Sequence, residues 1–103
     1  MAKLKLIADP TFKSNVGVPV AGGDPVMIEM EFKHRTKTAL DEFIKARVDK
    51  TDAETFLEMV VGWDLEDAFS KESVETLLEN YAGTSLAAFR VYIDQLVQTK
   101  VKN

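Results

Sequence analysis

Cysteine is absent from this 103-residue chain, which excludes disulfides and thiolate metal sites and fits a reducing compartment. Histidine and tryptophan occur once each, at His34 and Trp63. No stretch approaches the roughly 18 apolar residues of a membrane span. The opening Met1-Ala2-Lys3-Leu4-Lys5-Leu6-Ile7-Ala8-Asp9-Pro10 lacks the apolar core of a secretion signal. The expectation is a soluble cytoplasmic protein with no membrane partner. Internal repeats and low-complexity segments are also missing.

What is present suits one compact unit. A chain of this length buries roughly 60–65% of its unfolded surface, and a 46% hydrophobic fraction supplies a core without covalent staples. The reading is a single domain over residues 1–103, β-rich over 1–35 and helical over 36–103. Net charge is −4, unevenly spread. Residues 51–79 hold nine acids and one base, Lys71, while the flanks 1–50 and 80–103 each carry +2. An acidic centre repels phosphate backbones, so nucleic acid is not an expected partner. It reads as a solvated helix face or as a docking surface for a basic partner.

Apolar periodicity gives the elements. Lys3-Leu4-Lys5-Leu6 alternates, as do Val16, Val18 and Val20 with Gly17 and Pro19. Val26, Ile28, Met30 and Phe32 alternate with Met27, Glu29, Glu31 and Lys33, the clearest strand of the chain. Ala21-Gly22-Gly23-Asp24-Pro25 suits a hairpin loop, and Pro19, without an N–H, places its strand at an edge. From Thr36 the period becomes helical, with Leu40, Phe43, Ile44 and Val48 along one face and Thr38-Ala39-Leu40-Asp41 as an approximate capping box. Thr51-Asp52-Ala53-Glu54 is a better one, ahead of Ala53, Phe56, Leu57 and Val60. Gly62 is placed to end that helix in a left-handed conformation. Ser70 caps a third helix with Val74, Leu77, Leu78 and Tyr81, which Gly83 stops. Thr84 or Ser85 caps a fourth with Leu86, Phe89, Ile93, Leu96 and Val97 on one face. The fold class is therefore α+β: an N-terminal antiparallel β-hairpin of two or three strands, then four short amphipathic helices. No βαβ alternation points to a doubly wound sheet.

Catalytic equipment is not legible. His34 lies between Lys33 and Arg35 at a strand-to-helix junction and reads as a solvated turn residue. Residues 64–75 place oxygen side chains at several positions of a calcium loop, but Ala68 and Phe69 occupy positions five and six, where a ligand and a glycine belong. Gly22-Gly23 is too short to cradle phosphate. No carboxylate pair sits in an apolar setting that would split its two pKa values. Expected, then, is a non-enzyme without cofactor or metal. Trp63, Phe69, Tyr81, Phe89, Tyr92 and Leu96 are the candidate residues, read as a binding platform or as core.

The ordered set Ala8-Asp9-Pro10-Thr11-Phe12-Lys13, the Val-rich run to Pro19, Gly22-Gly23-Asp24-Pro25-Val26 and Phe32-Lys33-His34-Arg35-Thr36 resembles the opening of a known family. Gly62-Trp63, Phe69-Ser70, Leu77-Leu78, Asn80-Tyr81, Tyr92 and Lys102-Asn103 resemble its helical part. That family is the small tail assembly chaperones of long-tailed phages and prophages. Ala82 departs from it, standing where relatives have Pro. The resemblance implies a protein of the host cytoplasm, absent from the mature virion. It binds the tape-measure protein, keeps it soluble and promotes tail-tube polymerisation. A longer form made by ribosomal frameshifting would recruit the tail-tube protein, and copies would self-associate as a homo-oligomer along the client. Lys102-Asn103 is encodable by a run of adenines ending in a pyrimidine, which places a slippery site there if the Val101 codon ends in adenine. The alternative is a structural tail-completion or tube-terminator component of the virion.

Overall fold

The computed structural model describes residues 3–97, so Val101 and Lys102-Asn103 of the sequence reading lie outside the described residues. Strands β1 (Thr11–Val18), β2 (Val26–Lys33) and β3 (Val60–Trp63) form one antiparallel sheet in the order β1-β2-β3. Helices α1 (Lys37–Ala46), α2 (Asp52–Met59), α3 (Lys71–Asn80) and α4 (Thr84–Val97) complete an α+β arrangement, with a 3₁₀ turn at Arg47–Asp49.

The hairpin is in the expected place. Phe12 pairs with Phe32, Ser14 with Met30 and Val16 with Ile28, so these six share the inner face. Gly22 closes the connection at φ 77°, with the Gly23 N–H on the Val20 carbonyl. Only glycine holds that left-handed position without strain. β1 is an edge strand, and Pro19 follows immediately after it.

The expected strand at Lys3–Leu6 does not form. The β1–β2 ladder ends where the His34 N–H meets the Pro10 carbonyl. Beyond it the chain of β2 turns away into α1, capped by Thr36 rather than Thr38, and leaves no backbone for residues 3–6 to pair with. The third strand comes instead from the stretch read as a helix stop. α2 ends at Met59, and Val60-Val61-Gly62-Trp63 runs straight on beside β2, so Gly62 is strand and not a left-handed cap. Val and Trp favour an extended, half-buried site. A bulge spares Val61: Phe32 faces Val60, Glu31 faces Gly62 and Met30 faces Trp63. The extra residue brings both Val60 and Trp63 onto the inner face, although they are three apart. The Asp64 N–H then bonds the Glu29 carbonyl, and its carboxylate accepts from the Glu29 N–H at 3.1 Å, closing the strand.

Both bonds of the Thr51–Glu54 capping box are present, and Ser70 caps α3 through the Ser73 N–H. α4 departs from its reading. Thr84 and Ser85 are buried inside the helix rather than capping it, and the Gly83 carbonyl accepts the first bond, from the Ala87 N–H. The buried stripe is Thr84, Ser85, Ala88 and Tyr92, not Leu86 and Val97, which are exposed. Small residues let α4 lie close to β1. At Gly83 an added Cβ would stand 3.0 Å from Pro19. Val48, read as part of the α1 face, is exposed. The core gathers Val16, Met30, Phe32, Phe56, Met59, Val60, Val74 and Tyr92, each at most 1% exposed.

Candidate functional site

Tyr92 sits in a closed aromatic cluster at the Lys33 end of the sheet. Its ring stacks on Phe12 (6.2 Å) and Phe32 (5.5 Å), and meets Phe43 edge-on at 5.7 Å. Its hydroxyl donates to the Lys33 carbonyl at 2.6 Å and accepts from Arg35 at 3.0 Å. Arg35 also donates to the Glu58 carbonyl, pairs with the Glu58 carboxylate at 3.8 Å and lies over the Phe43 ring. Burial pushes the Tyr92 hydroxyl above its usual pKa, partly opposed by the Arg35 guanidinium. Every polar atom of Tyr92 is committed, so this residue is core.

Trp63 and Phe69 meet at the other end, rings 4.9 Å apart and edge to face. The indole N–H holds the Asp67 carbonyl at 2.8 Å, which folds the loop from 64 to 69 under the tryptophan. Together with Leu65, Leu77 and Tyr81, Trp63 bounds an open cleft of about 400 Å³ along α3, rimmed by Asp67, Glu72, Ser73 and Asn80. Tyr81 is 40% exposed there. Of the residues named from the sequence, Trp63 and Tyr81 both line this cleft; its course along α3 and its walls Leu65, Ser73 and Thr76 were not foreseen.

Phe89 and Leu96 belong to a third surface. Leu86, Phe89, Ile93, Leu96 and Val97 follow helical spacing along one face of α4, as the sequence predicts, with Phe89, Ile93 and Leu96 half-buried against the core. Leu86 and Val97 are about half exposed, and Phe89 packs on Phe43 with the Arg47 guanidinium 4.1 Å over its ring. At Leu96 and Val97 the stripe enters a groove of about 640 Å³ that also borders Leu40, His34, Leu6 and Ile7. The missed signal was residue size. Thr84, Ala88 and Tyr92 at i, i+4, i+8 form the face that approaches β1, with Phe89, Ile93 and Leu96 half-buried against the core beside it and Leu86 and Val97 standing outward.

The acids of 64–75 are not gathered. Asp64 is used by the Glu29 backbone, and among the described residues no group of three or more His, Asp or Glu side chains is placed to hold a metal ion. No described helix is long and apolar enough to cross a membrane.

The described surface thus offers an α4 stripe with Leu86 and Val97 exposed and an acid-rimmed cleft along α3. The family model for phage tail assembly chaperones matches residues 1–103, and the chain belongs to that family. Neither the curated proteins nor the solved structures contain a match to it. Its role lies in phage assembly within the host cell.

Proposed function

We propose that the protein binds the tape-measure protein of its phage, keeps it soluble, and releases it as tail-tube subunits polymerise around it. The full-length match to the tail assembly chaperone family carries this reading. The α4 stripe supports it. Leu86, Phe89, Ile93 and Leu96 follow the three- and four-residue steps with which one helix packs along another, and two of the stripe's side chains stand in solvent. An elongated helical client needs many short seams of this kind. Each is strong enough to mask its apolar face and weak enough to be displaced by the tube. The protein acts in the host cytoplasm and is missing from the finished virion. A longer frameshifted form carries the contact to the tube protein, and the gene tests this through a slippery adenine run and an open −1 frame at its end.

Co-expression tests the main claim. The tape-measure protein should move from the insoluble to the soluble fraction and co-purify with the chaperone. Leu86→Lys with Val97→Lys should abolish both effects while leaving the fold's melting point unchanged. An insoluble client beside a well-folded chaperone would refute the reading, and a chaperone found in purified particles by mass spectrometry would favour a structural tail component instead.

A further inference from the structure

The cleft beside Trp63 remains without a role. Its floor is set before any partner arrives: the indole N–H holds the Asp67 carbonyl at 2.8 Å, and Phe69 meets the ring edge to face. Leu77 lines the cleft half-buried, whereas Val74 and Leu78 of the same helix pack into the core. One wall is a single face of α3, made by Glu72, Ser73, Thr76, Leu77 and Asn80. From Glu72 to Asn80 that wall runs about 12 Å, a little over two turns. A row of acids runs beside it. Glu72, Glu75 and Glu79 stand at i, i+3 and i+7, around a shallow groove that shares Glu72, Thr76 and Asn80 with the cleft. Asp67 adds a carboxylate from the loop side. Among the described residues no ion pair reaches any of these four acids, and no base lines either groove.

We propose that the Trp63–Tyr81 cleft docks an amphipathic helix of another protein. Its large apolar residues lie between Trp63 and Leu77, and a flank of lysines or arginines lies against Glu72, Glu75 and Glu79. Carboxylates repeating at three and four residues match cations repeating at the same steps, which a helix presents and a strand does not. The unneutralised row supplies charge complementarity, and it repels partners that carry phosphate. The chain's own helices do not fit. α1 and α2 bury Leu40, Phe43 and Phe56, α3 is itself acidic, and α4 carries one base, Arg90, against one acid, Asp94. The cleft is thus a second docking surface, selective by charge where the α4 stripe is apolar, and it does not rest on the client reading above.

Trp63 is the only tryptophan of the chain, so its emission reads the cleft directly. The probe is a synthetic peptide of about fourteen residues, four helical turns, with leucine at i, i+3, i+4 and i+7 and lysine on the flanks. Titrated into the full-length chaperone, it should shift Trp63 emission to the blue and saturate. Its affinity should fall about tenfold between roughly 0.05 and roughly 0.5 M salt. A peptide with glutamate for every lysine should not bind, and one with serine for every leucine should bind at least about tenfold more weakly. Glu75→Lys with Glu79→Lys reverses the row, and Thr76→Arg obstructs the cleft. Each should weaken binding about tenfold or more. Both variants alter exposed side chains, so an unchanged melting point is expected. Leu86→Lys with Val97→Lys should leave peptide binding as it is, which separates this surface from the α4 stripe. No emission shift, equal binding of the glutamate peptide, or binding lost only in the α4 variant would each overturn the proposal. So would emission that shifts with the chaperone's own concentration, since a second copy would then occupy the cleft.

Discussion

Phe12, Phe32, Phe43 and Tyr92 meet at one end of the sheet; at the end of β3, Trp63 meets Phe69 and shares a cleft with Tyr81. Both groups pair aromatic rings with a polar handle, yet the first is sealed and the second is open. The difference lies in what covers each. α4 lays Tyr92 over the hairpin, and α1 and α2 close around it through Phe43 and the Arg35–Glu58 contacts. At the other end Trp63 is held from below by its own loop, and α3 stands to one side. The same residue types thus make a core where three elements converge and a cleft where two diverge.

The sharpest break of this contrast is Tyr92→Ala. It deletes three ring contacts in a site that cannot collapse, and should cost about 3–5 kcal/mol, measured by urea unfolding. Tyr92→Phe keeps the rings but strips the Lys33 carbonyl and Arg35 of their partner, for about 1–2 kcal/mol. A loss below that from the alanine variant would mean the closed end is not closed.

Thr84 sits eight residues before Tyr92 on the same buried face of α4. Its hydroxyl finds no hydrogen-bond partner among the described residues, whereas that of Tyr92 has two. Thr84→Val should therefore stabilise the fold by about 1 kcal/mol, by removing a desolvated polar group of the same shape. A destabilised variant in the same urea titration would reveal a partner for that hydroxyl. At the cleft rim, Tyr81→Ser should change stability by no more than about 0.5 kcal/mol. A larger loss would show that Tyr81 is packed as firmly as its buried counterpart.

The hairpin was legible because its period of two is unbroken from Val26 to Phe32 and a glycine-rich loop precedes it. The Thr51 and Ser70 caps were legible because capping is local chemistry. What failed was long-range. Val60 fits the helical stripe of α2 as well as it fits a strand, and only the waiting edge of β2 decides that it is strand. Leu4 and Leu6 have the pattern of a strand and lack the partner. On α4, ranking residues by hydrophobicity chose the face of Leu86 and Val97, whereas the face against β1 is that of Thr84, Ala88 and Tyr92. Of the candidate residues, Trp63 and Tyr81 share the cleft, Phe69 packs on Trp63, and Phe89 and Leu96 share the stripe. One list therefore covered two surfaces and, with Tyr92, a piece of core.

α2 spans the two ends, and its titrating contacts set them apart by pH. At its N-terminus the Glu54 carboxylate accepts from the Thr51 N–H at 2.9 Å, and that backbone bond holds its pKa below the usual 4.5. A carboxyl depressed in the folded state adds stability above its unfolded pKa and loses it as pH falls through the folded value. The Tyr92 hydroxyl is raised above 10.0, chiefly by burial. Its contribution is whole below the unfolded pKa and declines as pH rises past 10.0 toward the folded value. The difference in unfolding free energy between wild type and Glu54→Gln should therefore shrink on the acid side of pH 4.5. That between wild type and Tyr92→Phe should shrink on the alkaline side of pH 10. Both differences should be flat between. Because Glu54 is exposed, its curve is the smaller effect, and a Thr51→Ala background should erase it. A Glu54→Gln difference that persists unchanged into acid would show that the cap does not depend on the carboxylate's charge, and that α2 is anchored from the Arg35–Glu58 end alone.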